Sequence, residues 1–140
     1  MKLSDYLLRT ACAGIILTAL VLQYHANHLK EQPTGELTLA TAAEREAFLN
    51  LRGWQVAEAE ETAIRMPLTW QTQAGQSWLS LQAAQGLYPE RYAGCNAMRY
   101  LYPVTNAESG TLYAELLLCG DVLIGAQVYN AETQLMQTVR

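Results

Sequence analysis

What the chain lacks limits its chemistry before any motif is sought. Beyond Lys30 there is no lysine and no histidine, and Asp121 is the only aspartate of that stretch. Ser–His–Asp, Cys–His and Ser–Lys nucleophile systems therefore cannot be assembled within it, nor can a zinc site that uses imidazole. There is no Walker-type or glycine-rich phosphate loop. From Leu37 onward ten acidic residues stand against six arginines, which leaves no basic stripe for nucleic-acid phosphates. The expectation is a non-enzymatic protein with no catalytic residue, cofactor, metal or nucleic-acid partner. Carboxylate chemistry stays open through Glu58, Glu60 and Glu61, with Glu90 and Glu115 elsewhere, but a charge cluster in a break between strands is more often a solvated edge.

Long apolar runs are also scarce, and the one that exists sits near the start. Residues 10–22 carry no charge, and residues 6–24 make 19 positions, close to the roughly 20 that span a bilayer if Arg9 reaches back to the headgroups. Past Leu22 only Ala26 offers a small side chain for cleavage, and Tyr24 stands where another would be needed. An uncleaved anchor is the better reading, with a cleaved signal as the alternative, and Cys12 is then a small apolar residue inside it. Lys2 and Arg9 precede the span, while Lys30 is offset by Glu31 and Glu36, so the N-terminus is expected in the cytoplasm. The protein is then a single-pass cell-membrane protein with a leader at 1–9, an anchor at 6–24 and a juxtamembrane stalk at 25–40. An extracytoplasmic domain at 41–130 and a C-terminal tail at 131–140 complete it. His25 and His28 share a helical face in the stalk, yet two ligands without a carboxylate or thiol beside them make a poor metal site.

The domain reads as α+β, a small two-layer unit with two helices packed on a mostly antiparallel sheet. Thr41 and Glu44 form a capping box, after which Ala43, Ala47, Phe48 and Leu51 recur at helical spacing until Gly53. Strand-like alternation runs from Trp54 to Glu58 and resumes at Thr62, Ile64 and Met66. A second helix from about Thr69 carries Trp70, Ala74, Trp78 and Leu81, and Gly86 ends it. Residues 95–129 then form a β-meander, with turn formers at 105–110 and a two-residue loop, Gly120-Asp121. One register of its first hairpin sets Arg99 opposite Glu115 as an ion pair, Cys95 opposite Cys119 as a disulfide, and Tyr100 opposite Ala114. Tyr88, Tyr92, Tyr100, Tyr102, Tyr113 and Tyr129 are candidates to line a groove for peptide or glycan. The first four are the candidate binding surface, although the plainer account, β-propensity and packing against two helices, is the stronger one.

Several local strings, Leu51-Arg52-Gly53-Trp54-Gln55-Val56, the helix entry after Pro67, Leu81-Gln82, Gln85-Gly86, Arg99-Tyr100-Leu101-Tyr102 and Leu123-Ile124-Gly125, resemble the family called domain of unknown function 4830. The resemblance spans about residues 43–128. It implies a small α/β domain, commonly behind an N-terminal membrane segment, in Gram-positive bacteria of the Firmicutes type, with no established activity. The chain departs from it in the order Gly120-Asp121 and in carrying Cys95 and Cys119. Three functions are therefore in play: an envelope module that binds a cell-envelope protein or wall component, a regulatory or sensory accessory of a membrane complex, and a carboxylate-based hydrolase, the last needing two carboxylates facing one cleft.

Overall fold

Local capping sets the first element. In the computed structural model, which describes residues 36–140, Thr41 caps helix α1 (Ala42–Asn50). The backbone N–H of Glu44 donates to Thr41 Oγ1 at 3.2 Å, and Thr41 N–H donates to Glu44 Oε2 at 3.0 Å, so two otherwise orphaned donors are satisfied. The buried face of α1 is Arg45, Phe48 and Leu49. Ala43 and Ala47 are exposed and Leu51 is 86% exposed, so the expected stripe is rotated. The reason is Arg45, which a hydrophobic pattern passes over. Its guanidinium lies 3.8 Å from the centroid of the Tyr100 ring, and its Nε donates to the Tyr102 hydroxyl at 3.2 Å. Cation–π contact and hydrogen bonds together let a charged side chain occupy a core position.

The remaining elements are β1 (Glu60–Arg65), α2 (Gln73–Ala83), a 3-10 turn (Pro89–Tyr92), β2 (Asn96–Pro103), β3 (Leu112–Cys119), β4 (Val122–Asn130) and β5 (Met136–Gln137). The five strands form one antiparallel sheet in the order β1-β2-β3-β4-β5. Two helices packed on this sheet make an α+β domain. They lie on opposite faces, however, so the unit has three layers rather than the two expected. Phe48 and Leu49 of α1 pack with Tyr102, Ala114, Leu116, Leu118, Ala126 and Val128 on one face. Trp78 of α2 packs with Ala97, Leu117 and Ile124 on the other. A strand covered on both sides needs apolar residues at successive positions, and Leu116, Leu117 and Leu118 supply them. Ile124 is an extra residue where the β3–β4 register shifts, and this bulge turns it into the α2 layer.

The first hairpin pairs two residues away from the expected register: Arg99 faces Leu117, Tyr102 faces Ala114 and Ala97 faces Cys119. A shift of two keeps every side chain on its own face, whereas a shift of one would invert them all. The segment Leu37–Arg140 forms one compact unit, and it takes in residues at both ends that the sequence assigned to stalk and tail. Leu39 is buried, Thr38 bridges Val122, and Val139 is buried. The leader, the anchor at 6–24 and the stalk up to residue 35 lie outside the described residues. Among the described residues no helix is long and apolar enough to cross a membrane.

Candidate functional site

The predicted pairs meet, by a different geometry. Cys95 and Cys119 form a disulfide with their Cα atoms 6.5 Å apart, within the usual reach of such a bridge. They do so without being directly opposed, since Cys119 pairs with Ala97 and Cys95 lies two residues further along, just before β2. Arg99 likewise reaches diagonally. Its Nε donates to Glu115 Oε1 at 2.7 Å, because residues two apart on one face of neighbouring strands lie within range of long side chains.

The ion pair belongs to a larger buried network that the sequence did not reveal. Gln127 Nε2 donates to Glu115 Oε2 at 3.0 Å, and Gln127 Oε1 accepts from Gln82 Nε2 at 3.0 Å and from Trp78 Nε1. Gln82 Oε1 accepts from the backbone N–H of Ala126 at 2.8 Å, and Gln85 Nε2 donates to the Ala126 carbonyl at 2.8 Å. Gln85 Oε1 accepts from Val139 N–H at 3.0 Å, and the Val139 carbonyl accepts from Trp54 Nε1 at 2.8 Å. Gln82 of α2 and Gln85, just past the helix's C-terminal end, thus stand in for a strand at the outer edge of β4. Among the described residues no buried side-chain nitrogen or oxygen is left without a partner, as expected of a network that holds structure rather than a reactive group.

The tyrosine surface is dispersed. Tyr102 is 1% exposed beneath α1, and burial raises its pKa above the usual phenol value, against the lowering effect of the Arg45 hydrogen bond. Tyr100 lies under the Arg45 guanidinium. Tyr92 packs in the layer of α2 on the opposite face, and Tyr88 is exposed beside Arg91. These four share no surface. Glu60 and Glu61 point to opposite faces of β1, by the alternation of a strand. Among the described residues no group of three His, Cys, Asp or Glu side chains is placed to hold a metal.

The surface that is assembled involves Tyr113 and Tyr129. They are directly opposed on β3 and β4 and stack with ring centroids 5.6 Å apart. Leu101, Pro103, Tyr113 and Tyr129 continue the face that α2 covers around Leu117, but they lie beyond the helix and are half-buried. Met136 of β5 pairs with Tyr129, and Leu135 and Met136 are 72% and 53% exposed. Beside them runs a groove of about 660 Å³ whose apolar lining includes Trp54, Leu112, Tyr129, Leu135 and Met136, with Asn106, Glu108, Asn130 and Gln137 as its longer polar side chains. The loop that shapes it is held by Asn130 Oδ1, which accepts from the N–H groups of Glu132 and Thr133 at 2.8 and 3.1 Å. Tyr113 and Tyr129 were among the six tyrosines visible in the sequence. What selects them is the β3–β4 register, and the even-or-odd spacing from Gly120-Asp121 is disguised there by the bulge at Ile124.

No family model, no curated protein and no solved structure matches this chain.

Proposed function

We propose that the chain is a membrane-tethered, extracytoplasmic binding module without catalytic activity, which holds a cell-envelope protein or wall component on the uncovered half of its sheet. The observation that carries this reading is the Tyr113–Tyr129 stack beside exposed Leu135 and Met136, with Tyr129, Leu135 and Met136 lining one wall of the groove. Aromatic rings offer large, stiff contact area at low entropic cost, and amide side chains around them fix a polar backbone or hydroxyls. Among the described residues no basic side chain lines the groove, which suits a neutral or cationic extended ligand better than an anionic one. The apolar span at 6–24 and the likeness to the family of domain 4830 support the tether.

The test uses the full-length protein in its own cells, with a photo-crosslinking residue in place of Leu135 or Met136. The expected result is a covalent adduct with an envelope component, diminished by Tyr113→Ala combined with Tyr129→Ala. The same crosslinker in place of Leu51, exposed at the end of α1, gives none. Equal yields at Leu51 and Leu135 refute the binding surface. Release of the protein from membranes by carbonate washing refutes the tether.

A further inference from the structure

The two edges of the sheet are treated differently. Along β4 the outer edge is covered throughout. Leu123 N–H donates to the Leu37 carbonyl and Leu39 N–H to the Asp121 carbonyl, both at 2.8 Å. Gln82 and Gln85 take both backbone groups of Ala126, and β5 pairs with Val128 and Tyr129. The outer edge of β1 has no such cover among the described residues. Met66 N–H donates to the Cys95 carbonyl, one position beyond the β1–β2 pairing, and this fixes which β1 residues turn inward. Even-numbered residues face β2, so the backbone N–H and C=O groups of Glu61, Ala63 and Arg65 point outward. β1 contains no proline, glycine or bulge, and five of its six residues are exposed.

We infer that β1 is a self-pairing edge, where a second copy of this chain adds antiparallel to make a continuous ten-stranded sheet. The argument is charge complementarity under symmetry. Antiparallel strands joined across an edge are related by a two-fold axis perpendicular to the sheet, so a residue can oppose only residues of its own face. Placing Ala63 on the axis sets Ala63 against Ala63 of the second copy and Glu61 against Arg65, twice. All three outward-facing residues then lie in hydrogen-bonded pairs, and both charges meet their opposites. The Glu60-Glu61 ends of the two strands are kept at opposite ends of the junction. Charges on an edge strand ordinarily prevent such pairing; here the order Glu61-Thr62-Ala63-Ile64-Arg65 makes them select one partner and one register. The same axis leaves the two Tyr113–Tyr129 patches on one side of the joined sheet. This pairing does not depend on what those patches hold.

The test is a charge swap in the full-length protein in detergent, in a Cys12→Ala background that removes the remaining thiol, with mass read by sedimentation equilibrium over a range of concentration. Glu61→Arg alone or Arg65→Glu alone sets like charges opposite each other at two symmetric sites, and each is expected to raise the dimer dissociation constant about tenfold or more. Glu61→Arg combined with Arg65→Glu restores it. Both residues are exposed, so circular dichroism of the single variants, and their unfolding midpoint at concentrations where every variant is monomeric, stay unchanged. A monomer at every concentration, an oligomer indifferent to all three variants, or a double swap that fails to restore association overturns the proposal.

Discussion

Gln127 is the residue whose loss should be felt most widely, because three separate elements meet at its amide. It is 5% exposed on β4. Its Nε2 donates to Glu115, and its Oε1 accepts from Gln82 of α2 and from Trp78. Gln127→Leu keeps nearly the same volume and removes all three bonds. Gln82 is fully buried, so its freed amide group finds no water and costs about 1–3 kcal/mol. The Glu115 carboxylate keeps Arg99 but loses its second donor, at about 1–2 kcal/mol, and half-buried Trp78 recovers part of its loss from water. The sum is about 3 kcal/mol, a large share of the 5–15 kcal/mol that holds an ordinary domain, and it corresponds to a melting temperature lower by roughly 15 °C. Urea unfolding of the full-length protein in detergent, followed by tryptophan fluorescence, measures it. A cycle with Gln82→Leu should show strong coupling, the double variant costing well under the two single losses added together. If Gln127→Leu costs less than about 1 kcal/mol, the network is peripheral and the account of how β4 is closed is wrong.

Three further outcomes follow from the same structure. Cys95 and Cys119 are 24 residues apart in sequence, so replacing both by alanine should lower stability by about 3 kcal/mol through the unfolded chain, and alkylation of the unreduced native protein should label neither of them. A Cβ at Gly125 would lie 3.2 Å from Leu117 Cδ1 and 3.2 Å from Trp78 Cζ2, so Gly125→Ala should cost about 1–2 kcal/mol of overpacking and shift Trp78 fluorescence. Because burial raises the Tyr102 pKa, the unfolded chain releases that proton first as the solution turns alkaline. Stability should therefore be intact below about pH 10 and fall as pH rises from there, and Tyr102→Phe should remove that part of the slope in urea titrations.

Periodicity and turn chemistry made the element order legible, and failed where polar groups replaced apolar ones. The capping box at Thr41 and the Gly120-Asp121 loop are local, so the sequence contains them whole. The expected buried stripe of α1 misses Arg45, which occupies it; that of α2 holds at Trp78, but the fully buried residue near its C-terminal end is Gln82 rather than Leu81. Neither side chain signals burial until its partners are known. The Arg99–Glu115 and Cys95–Cys119 contacts were anticipated for a partly mistaken reason. Direct opposition was assumed, and the structure makes both diagonally, two residues off in register. Even-numbered shifts are invisible to any argument based on which face a residue occupies. The separation of the helices onto two faces was written in Leu116-Leu117-Leu118, a run too continuous for a strand with one solvated side.

The same polar contacts that hid these features from the sequence also fix the shape of the groove. Its wall at Leu135 and Met136 runs into the two-residue strand β5, which begins at Met136 and is too short to hold its position by pairing alone. Three residues further on, Val139 is held on one side by Gln85 and on the other by Trp54, which itself lines the groove. Gln85, in the turn after α2, is bound to Ala126, and Gln82 of α2 to Gln127, next to Val128 and Tyr129, the β4 residues that line the groove. The C-terminal segment is thus set against β4 by directional hydrogen bonds with fixed lengths, where apolar contacts alone would tolerate sliding. A groove shaped this way is formed before any ligand arrives, so binding there need not order the C-terminal segment first.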